Sequence, residues 1–175
     1  MFKDWSKLLT TDCKVIGIKD KYVYPIFRNA STSLFRSQES VLVNEQIGLC
    51  EDIEIFIRDP MARFVSGLNE YSRSHKLEIM EAWQRVQDET LIDRHFAPQC
   101  MWLLHLYKYH RGTVTLRPFD SVKKFTNIHT KMFPGQKTMV PTIPRLVDVD
   151  YKLVELIGTQ VKLSSIVEEF KNVLS

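Results

Sequence analysis

The stretch IEIFIRDPMARFVSGLNEY, residues 53–71, carries the reading of the fold. Ile53, Ile55, Phe56 and Ile57 form a short, almost continuous apolar run of strand length. Such a run suits a parallel strand covered on both faces. Arg58-Asp59-Pro60 then breaks the pattern. Asp59 is a good helix cap, and Pro60 suits the first helical position, where its fixed φ is already helical and its missing N–H is no loss. A helix is expected over Pro60 to Ser74, with Phe64 and Leu68 four apart on its apolar face. Capping explains Asp59 and Pro60 but not Arg58. An arginine at the end of a buried strand needs a partner, because an unpaired desolvated charge costs several kcal/mol. Two partners are open. One is the neighbouring Asp59 carboxylate; the other is an anion held between Arg58 and the hydroxyl of Ser66, two turns into the helix. Arg63 lies three residues before Ser66 on a similar face.

Outward from this junction the chain alternates between strand-like and helix-like segments. Val23 to Phe27 (VYPIF) reads as a strand, with Pro25 best placed at an edge or at the strand's start. The polar stretch RNASTS, residues 28–33, follows, and Leu34 to Leu49 could hold a helix. Helices are expected over Leu77–Leu91 and Pro98–Tyr109, a strand over Thr113–Leu116 and a helix over Val122–Met132. Three prolines and a glycine mark residues 134–144 as a loop, and Tyr151–Ile157 and Ser165–Leu174 close the chain as helices. Alternating strands and helices predict an α/β domain with a parallel sheet. Its 175 residues fit one domain, 1–175, large enough to bury a core. Ligands of such sheets gather at the carboxyl ends of the strands. That rule sets RNASTS and RDP on one rim.

Composition narrows the class. A hydrophobic fraction of 44% with 26% charged residues is globular. A net charge of +3, from 24 basic and 21 acidic side chains, is too mild for a general nucleic-acid binder but permits a basic pocket for a small anion. No apolar run reaches the roughly 20 residues that span a bilayer, and the start lacks the pattern of a signal peptide. Cys13, Cys50 and Cys100 are odd in number and widely spaced, with no CxxC pair. Disulfides and a zinc site are therefore not expected, and a reducing cytoplasm is the simplest home.

RNASTS joins a strand to a helix through small residues whose backbone N–H groups can approach a ligand. Ser31, Thr32 and Ser33 add hydroxyl donors, and Arg28 adds a charged fork suited to phosphate or sulfate oxygens. An ordinary N-cap by Ser31 or Thr32 is the competing explanation.

Together the two segments resemble the cofactor-binding motifs of the sulfotransferases that use 3′-phosphoadenosine 5′-phosphosulfate. In that family a strand-loop-helix of the type Pro-Lys-x-(Gly/Ala)-(Ser/Thr)-(Thr/Ser)-Ser grips the 5′-phosphosulfate. Phe27-Arg28-Asn29-Ala30-Ser31-Thr32-Ser33 matches it in register. The second motif, Arg-Asp-Pro-x-x-Arg-x-x-Ser, stands complete from Arg58 to Ser66; in the family its first Arg and its Ser bind the 3′-phosphate. Arg28 and Arg58 lie 30 residues apart. Asp93-Arg94-His95-Phe96-Ala97-Pro98-Gln99 is similar to a segment of the branch acting on carbohydrates, and Thr113–Phe125 resembles a degenerate form of a later family pattern.

The resemblance implies a P-loop-like three-layer fold with a central parallel sheet, and transfer of a sulfuryl group to a hydroxyl acceptor, expected to be a glycan. The co-substrate would be 3′-phosphoadenosine 5′-phosphosulfate, with adenosine 3′,5′-bisphosphate as product and no metal. Arg28 would act in catalysis and, with Asn29, Ala30, Ser31, Thr32 and Ser33, hold the 5′ end; Arg58 and Ser66 would hold the 3′-phosphate. Arg28 stands where the family has lysine, so its contribution would be electrostatic rather than by proton donation. His95 is the first choice of base, since an imidazole titrates near neutral pH; capping of the following helix is its structural alternative. Glu70 and Glu78 are backup bases, each also readable as a solvated helix charge. Trp102, Tyr107 and Tyr109 read as core packing, and His105 and His110, five apart, do not share a metal-binding face. Two competitors stand beside the enzyme: a silent nucleotide-binding module of the same fold, and a kinase-like phosphotransferase, which would need a Walker lysine motif absent from the sequence.

Overall fold

The structure, a computed structural model, describes residues 11–26, 31–87, 97–119 and 150–174. Its centre is a six-stranded mixed sheet in the order β3-β1-β2-β4-β5-β6. The strands are β1 (Lys14–Ile18), β2 (Lys21–Tyr24), β3 (Ser40–Val43), β4 (Asp52–Ile57), β5 (Thr113–Pro118) and β6 (Gln160–Lys162). The helices are α1 (Ser31–Arg36), α2 (Pro60–Ser74), α3 (Ile79–Gln87), α4 (Gln99–Tyr107) and α5 (Leu163–Leu174). A 3-10 helix spans Asn44–Leu49, and residues 150–154 are helical. The fold is α/β, as expected, but the sheet is not wholly parallel. Only the β2–β4 and β4–β5 pairs are parallel; β1 pairs antiparallel with both β2 and β3, and β6 pairs antiparallel with β5. β1 and β2 form a hairpin, and Lys19 in its turn takes a left-handed φ of 55°.

The region expected to be helical from Leu34 to Leu49 is instead α1's end, a strand and a 3-10 turn. Val41 and Val43 are β-branched, stiff at χ1 and better packed on a pleated surface than in a helix. They pair with β1 in the register Ile16↔Val41 and Lys14↔Val43. Asn44 then adopts a left-handed φ of 53°, and its side chain bonds the Cys13 backbone N–H at 2.9 Å. The strand expected at Val23–Phe27 begins earlier and ends at Tyr24, so Pro25 falls just past it, where no ladder N–H is required. Expected elements over 122–132 and 134–144 lie outside the described residues.

The central strand departs from the reading of a run covered on both faces. Ile53, Ile55 and Ile57 are buried, while Asp52, Glu54 and Phe56 between them are half-buried. The isoleucine face packs with Val114 and Leu116 of β5 against Phe64 and Leu68 of α2, Leu103 and Leu106 of α4, and Ile166 and Phe170 of α5. Each such buried side chain contributes about 1.5–3 kcal/mol, enough to set the orientation of the strand. On the other face polar groups satisfy one another across strands. Asp52 accepts from the hydroxyls of Thr113 and Thr115 at 2.8 and 2.9 Å, and Glu54 pairs with Arg117 at 3.0 Å and Lys21 at 3.3 Å. Gly112 leads into β5 where a Cβ would stand 2.3 Å from the Glu51 carbonyl oxygen, so the close approach demands glycine. Among the described residues no helix is long and apolar enough to cross a membrane.

Candidate functional site

β2 and β4 are parallel neighbours in the register Tyr24↔Ile55, so both chains leave the sheet at the same edge. The segment after β2 and the Arg58 turn after β4 therefore start from one rim. Arg58 is the first residue past β4 and has left the ladder. Gln99, the first residue of α4, takes over its backbone. The Arg58 N–H donates to Gln99 Oε1 at 3.1 Å, and Gln99 Nε2 donates to the Arg58 carbonyl at 2.9 Å. The Arg58 guanidinium carbon stands 5.2 Å from the centre of the Phe119 ring, a cation–π contact.

Asp59 caps α2 as anticipated, accepting the Ala62 N–H at 3.0 Å through Oδ2. Its second oxygen accepts the Tyr151 hydroxyl at 3.2 Å. Both carboxylate oxygens thus have partners that hold the turn in place.

Arg58 opens onto a cavity of about 520 Å³ whose wall is α2. Ala62, Val65, Ser66, Asn69, Glu70 and Arg73 line it, a spacing of three and four residues that marks one stripe of the helix. Two guanidiniums and one carboxylate leave the lining net positive. Glu70 pairs with Arg73 and sits at the cavity wall rather than on an isolated solvated face. Glu78 is exposed and away from it. Arg63 flanks this stripe but does not line the cavity. It is 2% exposed, and its guanidinium donates to the Ala97 carbonyl. The two arginines of one motif therefore serve different places.

Of the residues expected at the site, Arg58 and Ser66 share this cavity. Ser31, Thr32 and Ser33 form the start of α1, with Ser33 exposed. Arg28, Asn29, Ala30 and His95 lie outside the described residues. Trp102 is buried, and Tyr107 and Tyr109 are half-buried against the core, as packing residues. His110 is buried with Nε2 2.8 Å from the Thr113 carbonyl, which makes that nitrogen the donor.

Sequence reading gave no role to Gln99, Asp150, Tyr151 or Phe119. Asp150 is buried and caps α4, accepting the Gln99 N–H at 2.6 Å and the Cys100 N–H at 3.0 Å. Burial pushes its carboxyl above the ordinary aspartate range, and those two N–H groups only partly oppose this. This capping carboxylate lies 51 residues after Gln99; His95, read from the sequence as a possible cap of the same helix, lies outside the described residues. The signal for Gln99 was present, since it closes the quoted DRHFAPQ segment, but a buried glutamine announces no role until its partner is placed.

All three cysteines are buried free thiols. Burial pushes Cys13 up to about 12 and raises Cys50 and Cys100, so each is a protonated thiol at neutral pH and none is poised as a nucleophile. Among the described residues no group of three or more His, Cys, Asp or Glu side chains converges as metal ligands would. No family model matches the chain, and no curated protein or solved structure matches it.

Proposed function

We propose that the chain is a sulfotransferase, moving a sulfuryl group from 3′-phosphoadenosine 5′-phosphosulfate to a hydroxyl acceptor, with a glycan as the acceptor class. The observation that carries this reading is the meeting of Arg58 and Ser66 in one cavity at the rim shared with the exit of β2. An arginine fork and a hydroxyl are a donor set suited to phosphate oxygens. The cavity, about 520 Å³, lies within the range of small-ligand sites, roughly 300–1,000 Å³. The six-stranded α/β sheet is compatible with the three-layer P-loop-like fold that this reading implies.

In this reading the co-substrate supplies an activated sulfuryl group and a stable leaving phosphate. Arg58 and Ser66 hold the 3′-phosphate, which selects this nucleotide over ATP. Arg28 and the amides that follow it stabilise charge on the sulfuryl group and the 5′-phosphate, and His95 takes the acceptor proton. Positioning and electrostatics supply most of the rate, as in phosphoryl transfer. A silent binding module would share the cavity but leave the acceptor unmodified.

Calorimetry with adenosine 3′,5′-bisphosphate, ATP and ADP is the first test. Preference for the bisphosphate is expected; equal or tighter binding of ATP would hand the site to a phosphotransferase. Transfer of labelled sulfate onto a glycan panel then separates enzyme from binder. His95→Ala should lower turnover by about 100-fold or more with nucleotide affinity nearly intact. Retained turnover removes His95 from the reaction.

A further inference from the structure

We propose that Gln99 is a positioning residue for the phosphate-binding arginine: a buried amide clamp that sets the direction of Arg58. The inference rests on the reading of the cavity as the seat of a nucleotide 3′-phosphate, and it adds a residue outside the Arg-Asp-Pro signature to that site. Gln99 is 0% exposed. A primary amide so deeply buried must find partners for both its ends, or the cost of desolvation is not recovered. Both ends go to a single residue. Arg58 N–H and C=O are bonded by Gln99 Oε1 and Nε2 at 3.1 and 2.9 Å, the exchange of two bonds that a neighbouring strand residue would make. The side chain thus continues the ladder of β4 by one residue past the end of the strand.

The clamp is itself held. Gln99's own N–H is bonded by Asp150 Oδ2 at 2.6 Å, and the adjoining Cys100 N–H by Oδ1 at 3.0 Å. Tyr151, the residue after Asp150, donates its hydroxyl to Asp59 Oδ1 at 3.2 Å, and Asp59 follows Arg58. Arg58, Gln99, Asp150, Tyr151 and Asp59 therefore form a closed circuit drawn from three chain segments. A circuit of this kind fixes backbone angles at the turn, and with them the point from which the guanidinium departs. Pre-orienting a cation raises affinity because less ordering remains to be done when the anion arrives. Arg73, the other guanidinium of the cavity, is by contrast 78% exposed at its side chain.

The test uses the full chain and two nucleotides, adenosine 3′,5′-bisphosphate and adenosine 5′-monophosphate, with calorimetric affinities and a thermal midpoint for each variant. The ratio of the two affinities isolates the 3′-phosphate. In Gln99→Met, which keeps the volume and removes both bonds, the ratio should fall about tenfold while monophosphate affinity stays within about twofold. In an Arg58→Ala background the same substitution should leave the ratio unchanged, since the residue it acts through is gone. An unchanged ratio in Gln99→Met overturns the proposal. So does an equal loss for both nucleotides, which would mark Gln99 as structural only. A wild-type chain that shows no bisphosphate preference removes the nucleotide reading itself and the clamp with it. Should Gln99→Met not fold, Tyr151→Phe carries the test, because it deletes only the hydroxyl bond to Asp59. A smaller loss of the ratio supports the circuit, and no loss overturns it.

Discussion

The two long stripes of α2 are made from one continuous stretch yet answer to different demands. The outward stripe, from Ala62 through Ser66 to Arg73, lines a polar cavity. The inward stripe, with Phe64 and Leu68, is sealed against the sheet, and Arg63 between the two stripes turns to the start of α4. Arg58 and Arg63 make the contrast sharp. Both belong to the motif Arg-Asp-Pro-x-x-Arg-x-x-Ser, but one is half-buried at a cavity and the other is spent on a main-chain carbonyl in the core. A motif can therefore mix binding and folding residues, and only the packing tells them apart.

That contrast breaks if the two arginines behave alike on substitution. Arg63→Met should cost about 3 kcal/mol of stability, because it strands the Ala97 carbonyl without its donor and alters a packed site. Denaturant titration measures this; a loss below about 1 kcal/mol would show that the core tolerates the change. Arg58→Ala should do the reverse. Bisphosphate affinity should drop at least about tenfold, as loss of charge-assisted bonds implies, with stability nearly unchanged. Calorimetry beside a melting curve decides it.

Asp150 sharpens the comparison through pH. Its folded-state value is raised by burial, so its stabilising contribution is complete below the ordinary aspartate value, near 4, and is lost as pH rises through the folded value. Wild-type stability should decline across that window, whereas Asp150→Asn should show a flatter curve. Parallel curves would mean that the carboxyl does not titrate there. The smallest effect is expected at Arg73→Ala. Its pairing with Glu70 is exposed at the arginine, and such pairs contribute about 0–1 kcal/mol. Stability should change by less than about 0.5 kcal/mol.

The β4–α2 junction was legible because local chemistry dictates it. An apolar run of strand length, a capping aspartate and a proline at the first helical position all act within a few residues, and Asp52–Ile57 and Pro60–Ser74 follow them closely. The two-residue period of β4 is written in Asp52 and Glu54, but Phe56 between Ile55 and Ile57 makes its second half a continuous apolar run. What escaped was set at a distance. β1, β3 and β6 are three to five residues long, and each is a strand because of its neighbour in the sheet. Helix propensity in Leu34–Leu49 lost to the pairing of Val41 and Leu42 with β1. In the site, Arg58 and Ser66 could be joined because one lies just before α2 and the other two turns into it. Gln99 and Asp150 could not, since an amide or carboxylate becomes a clamp or a cap only when folding brings the orphan backbone groups to it.

The three cysteines have a use beyond packing. Cys13 and Cys100 are 1% and 0% exposed and Cys50 is 8%, spread from the residue before β1 to the helix that carries Gln99. Held as thiols and shielded, they should react with an alkylating dye only when the region around each one opens. Labelling followed cysteine by cysteine then becomes a stopwatch for local breathing. Cys100, at the foot of the clamp, would time how often the arginine's anchor lets go.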